Sequence, residues 1–224
     1  ATQNSITTAT GLTAVGAAGT ASTVAGIPLF SADSSIYTHD VSGTDSTAQY
    51  NAAYGLTALD AITTGDTNVA VGYAALTANT TASGNTAVGE NSLSTNTTGA
   101  SNTAVGKHAL KLNSTAANNT AVGFQSLAAN TTGAGNVAVG KSAMTANTTG
   151  TRNIGIGFEA YDASDTENDN IAIGYQAMTT NTAGGTQNVA IGNYAGDAIT
   201  SGDGNTALGH LAGTVLNSGT GNTC

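Results

Sequence analysis

The feature that most constrains this chain is a period. Asn51, Asn68, Asn85, Asn102, Asn119, Asn136, Asn153 and Asn170 recur every 17 residues; one interval of 18 leads to Asn188, and Asn205 and Asn222 resume the spacing of 17. A glycine follows four residues behind each of the first ten, at Gly55, Gly72, Gly89, Gly106, Gly123, Gly140, Gly157, Gly174, Gly192 and Gly209. Two residues before most of these glycines stands an alanine, and one before stands Val71, Val88, Val105, Val122, Val139, Ile156, Ile173, Ile191 or Leu208. Such self-similarity marks units that stack on identical neighbours to bury a shared core.

Each unit reads as a short β-favouring run bounded by Asn and Gly, then a second short apolar segment closed by Asn-Thr-Thr-Gly or a relative. This pattern predicts two short strands and two turns per unit. A helix is disfavoured by the density of Thr, Asn and Gly. A leucine-rich horseshoe needs a period of 20 or more and a leucine pattern that is absent. The fold expected is therefore all-β, a parallel β-solenoid or β-roll with one coil of about 17 residues per repeat, coils stacking about 4.8 Å apart. The Asn51-to-Asn222 series then forms a hydrogen-bonded amide column, and the glycines take positive φ or close approaches. The valines are expected inside the coil. Strand alternation puts Ala70, Ala87, Ala104, Ala121 and Ala138 on the opposite face, a small-residue stripe suited to side-by-side self-association as a dimer or trimer. The 18-residue interval, with Gly184-Gly185-Thr186-Gln187 before Asn188, is expected to be absorbed in a turn, since a shifted strand would exchange its faces.

Asn-Val-Ala-Val-Gly at 68–72, Asn-Thr-Ala-Val-Gly at 85–89, 102–106 and 119–123, and Asn-Ile-Ala-Ile-Gly at 170–174 resemble the head repeats of trimeric autotransporter adhesins. Similar repeats with a longer Leu-x-x-Asn-Thr-Thr-Gly-like insertion, as around 76–82, 93–99, 127–133 and 144–150, occur in bacteriophage tail fibres. The resemblance covers residues 51–223. It implies a left-handed β-roll, a homotrimer, an extracellular or virion-tail location and a role in attachment to a host surface receptor, polysaccharide or protein, alongside other tail proteins. A bacterial surface adhesin head is the alternative, and a polysaccharide-degrading tailspike a weaker one.

Residues 1–50 form a non-repeat connecting or capping segment and 51–224 the repeat region. Leu12–Gly16 mimics the motif out of phase, while Pro28-Leu29-Phe30, Ile36–Asp40, Tyr50 and Tyr54 are candidates to cap the first coil, since a bare solenoid end exposes strand edges. Asn222-Thr223-Cys224 opens a further copy with Cys224 in the alanine place, which suggests a piece of a longer chain.

Chemistry-bearing residues are few. His108 and His210 occupy different variable positions about six coils apart, and His39-Asp40 lacks a nucleophile elbow. Glu159, Asp162, Asp165, Glu167 and Asp169 crowd one repeat, but match no calcium-loop pattern and read as a solvated turn. Asn79, Asn96, Asn113, Asn130 and Asn147 begin sequons whose repeat phase marks them as one copied structural turn. Four basic residues, Lys107, Lys111, Lys141 and Arg152, against 13 acids exclude a nucleic-acid surface. No apolar run approaches a membrane span, and one cysteine excludes a disulfide framework. The expectation is a non-enzymatic structural protein with no catalytic, cofactor or metal residues; its receptor-binding residues are not identified by sequence.

Overall fold

The computed structural model describes residues 22–24, 27–32, 35–37, 47–180 and 184–224. Leu12–Gly16 and the His39-Asp40 pair lie outside the described residues. Strands β1 (Ser22–Val24), β2 (Ile27–Ala32) and β3 (Ser35–Tyr37) pair antiparallel in succession. β3 then runs parallel to β4 (Ala52–Tyr54), matching Ile36 to Ala52 and Tyr37 to Ala53, so a preceding strand occupies the edge of the first coil. From there the sheet is parallel throughout: β5 (Val69–Val71), β6 (Thr86–Val88), β7 (Thr103–Val105), β8 (Thr120–Val122), β9 (Val137–Val139), β10 (Ile154–Ile156), β11 (Ile171–Ile173), β12 (Val189–Ile191) and β13 (Thr206–Leu208). No helix occurs among the described residues.

From β4 to β13 every strand pairs with its neighbour in repeat register, for example Thr103 with Thr120 and Ala104 with Ala121. The chain is a parallel β-solenoid in which one 17-residue repeat makes one coil. The extra residue of the 18-residue interval leaves this register intact, Ile171 pairing with Val189 and Ile173 with Ile191. It falls between Met178 and Gly185. Met178 N donates to Ala195 O where Tyr161 N, one repeat earlier, donates to Ala177 O. Asn170 Nδ2 reaches Gly185 O, 15 residues on, where the other coils span 14.

Two expectations are corrected. The second apolar segment is not a strand: residues such as Ala74–Ala78 form turns, and Leu76, Leu93, Leu110 and Leu127 sit at φ between 49° and 53°. Three positions per coil adopt this left-handed geometry, as His108, Leu110 and Asn118 do in one repeat. Such corners let a short repeat close a full circuit. The cost of about 1–2 kcal/mol for a left-handed leucine is offset by burying it completely.

The second correction inverts the strand faces. Ala70, Ala87, Ala104, Ala121 and Ala138 are fully buried inside the coil, whereas Val71, Val105 and Val122 point outward and remain more than a third exposed. Alternation shows that alanine and valine face opposite ways, but not which way is inward. The narrow lumen decides it. The leucine or methionine of each coil packs across to the strand, and a Cβ added at Gly155, which stands in the alanine column, would lie 2.6 Å from Met144 Cγ. Only a methyl group or less fits there. The alanines therefore cannot form a contact between chains. Ala104→Asp is expected to bury a carboxylate and abolish the fold itself, with loss of the β signal in circular dichroism instead of dissociation into folded single chains.

The remaining interior is polar. Asn51, Asn68, Asn85, Asn102, Asn119, Asn136, Asn153, Asn170, Asn188 and Asn205 are buried, and each Oδ1 accepts the backbone N–H of the next asparagine, as Asn102 Oδ1 does from Asn119 at 2.9 Å. The Nδ2 group donates across the coil to a turn carbonyl, Asn102 to Ala116 O at 2.8 Å. The ladder satisfies main-chain groups at the two turns, where strand pairing does not reach.

Candidate functional site

The residues singled out for chemistry do not converge. His108 lies beside Phe124, with ring centroids 6.3 Å apart, and His210 beside Tyr194 at 6.3 Å. His210 Nδ1 is 3.2 Å from Asn193 O. Cys224 takes the backbone place of the alanine column, its N donating to Thr206 O and its O accepting from Leu208 N, with the side chain exposed. The sequon asparagines are fully buried and cannot carry a glycan. They form a second amide ladder: Asn96, Asn113, Asn130 and Asn147 each donate through Nδ2 to the Oδ1 of the preceding asparagine at 2.8–3.2 Å. Their 17-residue phase was the available signal for this ladder, and a turn motif accounted for it equally well.

The acidic coil is split between inside and outside. Glu167 is buried, and its carboxylate accepts from Ser164 Oγ, the backbone N–H groups of Asp165 and Thr166, and Gly184 N. Asp169 pairs with Arg152 through two hydrogen bonds of 2.6 and 2.7 Å; the pair holds the Asp169 carboxyl below its ordinary range and raises the guanidinium. Glu159 accepts from Gln176 Nε2 at 2.7 Å, and Asp165 accepts from Thr148 Oγ1. Partial burial, reinforced by the Glu159 charge, pushes the Asp162 carboxyl up. Tyr161 replaces the usual leucine, and burial raises its phenol far above the ordinary range. Among the described residues, no three His, Cys, Asp or Glu side chains gather closely enough to hold a metal ion. These acids bond mostly to adjacent coils and to the turn of their own coil.

What the fold does present is a surface. The outward positions of β4–β13 carry no charged residue in any coil: Val69 and Val71, Thr86 and Val88, Thr103 and Val105, and so on to Ile171 and Ile173. Ten strands stacked about 4.8 Å apart make this stripe roughly 43 Å long. With two side-chain columns it covers on the order of 400 Å², the size of the largest patch on an ordinary single chain, which is often a contact surface. An edge column flanks it. Phe158 stacks on Tyr175 at 5.3 Å, Tyr194 meets Tyr175 edge-on at 5.3 Å, and Lys141 Nζ lies 4.9 Å from the Phe158 ring centre. Further along, Lys107 pairs with Glu90 at 3.0 Å and draws the Glu90 carboxyl below its ordinary range.

No protein-family model matches the sequence, and no significant similarity to a curated protein or to a solved structure is found.

Proposed function

We propose that this chain is a segment of an extracellular attachment fibre of the bacteriophage tail-fibre kind, a non-enzymatic homotrimer whose solenoids lie side by side. The observation that carries this reading is the uncharged Val, Ile and Thr stripe on the outer strand face. It replaces the alanine stripe as the contact surface. Burial of such a stripe against copies of itself supplies the hydrophobic stabilisation that the thin, asparagine-rich lumen provides only sparingly. The repeat resemblance at 68–72, 85–89 and 170–174 supports the same reading. Three parallel chains would present each surface turn in triplicate and so raise avidity for a host polysaccharide or protein without strengthening a single contact.

Light-scattering mass tests the assembly. The parent chain is expected to have the mass of three chains, and Val105→Lys combined with Val122→Lys the mass of one, with circular dichroism unchanged because both side chains point outward. A parent protein with the mass of one chain overturns the lateral assembly. Retention of fluorescently labelled chain on bacterial cells tests attachment, and release of reducing sugar from host polysaccharide would overturn the non-enzymatic assignment.

A further inference from the structure

We propose that the solenoid contains a joint between the coils 136–152 and 153–169, at which it opens locally before the coils that precede it. The argument rests on how neighbouring coils are bonded. From Asn79 to Asn130 every carboxamide oxygen of the second ladder accepts from the amide of the next coil. The series stops at Asn147. Its Oδ1 is buried with no hydrogen-bond partner, because the next coil places Ser164 where an asparagine would stand. The serine is too short to reach back, and its hydroxyl donates to Glu167 Oε2 at 2.9 Å instead. A buried acceptor left unbonded is costly, and the cost falls on this junction.

Glu167 turns the coil's bonding forward. It occupies the place of Gly99, Ala116, Gly133 and Gly150 in earlier coils. Its carboxylate collects three donors from its own turn and one, Gly184 N at 3.1 Å, from the following coil. Tyr161 Oη likewise accepts from Asn170 Nδ2 of the following coil. Across the junction the first ladder persists, Asn153 N donating to Asn136 Oδ1 at 2.9 Å, and Thr151 donates to the part-buried Asn168 Oδ1. The remaining side-chain contacts, the Arg152–Asp169 pair, Thr148 on Asp165 and Lys141 over Phe158, lie at the surface. Exposed ionic contacts are individually weak and are screened by salt. The preceding junctions, from Asn79 to Asn147, carry a second buried amide bond in addition to the first ladder, which salt does not screen and which this junction lacks. In a stacked array that gains stability from each neighbour interface, the weakest interface sets where opening begins.

Hydrogen exchange followed by mass spectrometry on the full chain tests this. Peptides spanning 153–170 are expected to exchange at least about tenfold faster than those spanning 102–136. Raising sodium chloride should widen the gap. Glu167→Gln, which puts an amide among four donors, should accelerate exchange in 153–170 further while leaving 102–136 unchanged. Ser164→Asn with Glu167→Gly restores the repeat pattern and should bring the two regions within about twofold of each other. If that double variant fails to fold, the parent profile decides alone. Protection over 153–170 equal to or above that over 102–136 overturns the proposal, as does a gap that salt leaves unchanged.

Discussion

Gly123→Ala is expected to remove the native state at temperatures where the parent chain is folded. The residue stands at φ +137°, a conformation that side-chain-bearing residues rarely adopt. A Cβ built there would overlap the carbonyl of Gly140 in the next coil, lying 2.6 Å from its carbon. Conformational strain alone accounts for about 1–3 kcal/mol. The overlap is with backbone, so no side-chain rotation relieves it, and separating the coils would break the strand pairing on either side. A loss exceeding about 4 kcal/mol is therefore expected, a large part of the stability of an ordinary domain. Gly204→Asn is the informative contrast. Gly204 has φ +64° with nothing within 4 Å of a built Cβ, and Asn118 already occupies the equivalent place at φ 62°. Its melting temperature should stay within a few degrees of the parent's. Equal losses from the two substitutions would show that close approach between coils is not what selects glycine.

The second large effect is expected at Asn102. Truncation by Asn102→Ala leaves the backbone N–H of Asn119 without its acceptor, takes one of two amide donors from Ala116 O, which keeps Asn113 Nδ2, and removes a donor from Asn85 Oδ1. One buried main-chain N–H left unsatisfied, at about 1–3 kcal/mol, together with the two lost amide bonds predicts a loss of about 3 kcal/mol in denaturant unfolding. Asn91→Ala should cost no more than about 1 kcal/mol, since among the described residues its side chain makes only a 3.5 Å contact with Glu90 and Ala74 already holds the equivalent left-handed place at φ 54°. Asn102→Asp adds a pH signature. It keeps an acceptor for Asn119 N but places a carboxylate against the acceptor Ala116 O. Burial raises the folded-state pKa above the unfolded value, so the variant should be more stable in acid and lose stability as pH rises. A flat pH profile, or an opposite slope, would contradict the ladder.

The architecture was legible because translation along the sequence is translation along the axis. Asn102 and Asn119 are 17 residues apart and hydrogen-bonded, so one count fixed coil length, strand register and the amide column together. The inward direction was not legible. Alternation at Thr103-Ala104-Val105 is symmetric, and size suggested valine for the interior, whereas the leucines crossing the lumen left room only for alanine. The corners were hidden too, because Ser101, Asn118 and Arg152 share a left-handed conformation without sharing any chemical property that announces it. The acidic repeat looked like one surface feature. Only coordinates separate the inward Glu167 from the outward Asp169.

The sameness of the junctions between Asn68 and Asn136 has an evolutionary corollary. Each is sealed by the same main-chain groups and the same carboxamide, so excising residues 86–102 would bring Asn85 directly before Thr103 and recreate a native junction. Recombination between misaligned copies can therefore lengthen or shorten the molecule by whole blocks, about 4.8 Å at a time. Reach becomes a quantity that gene duplication can adjust in discrete increments while the ends of the molecule stay as they are.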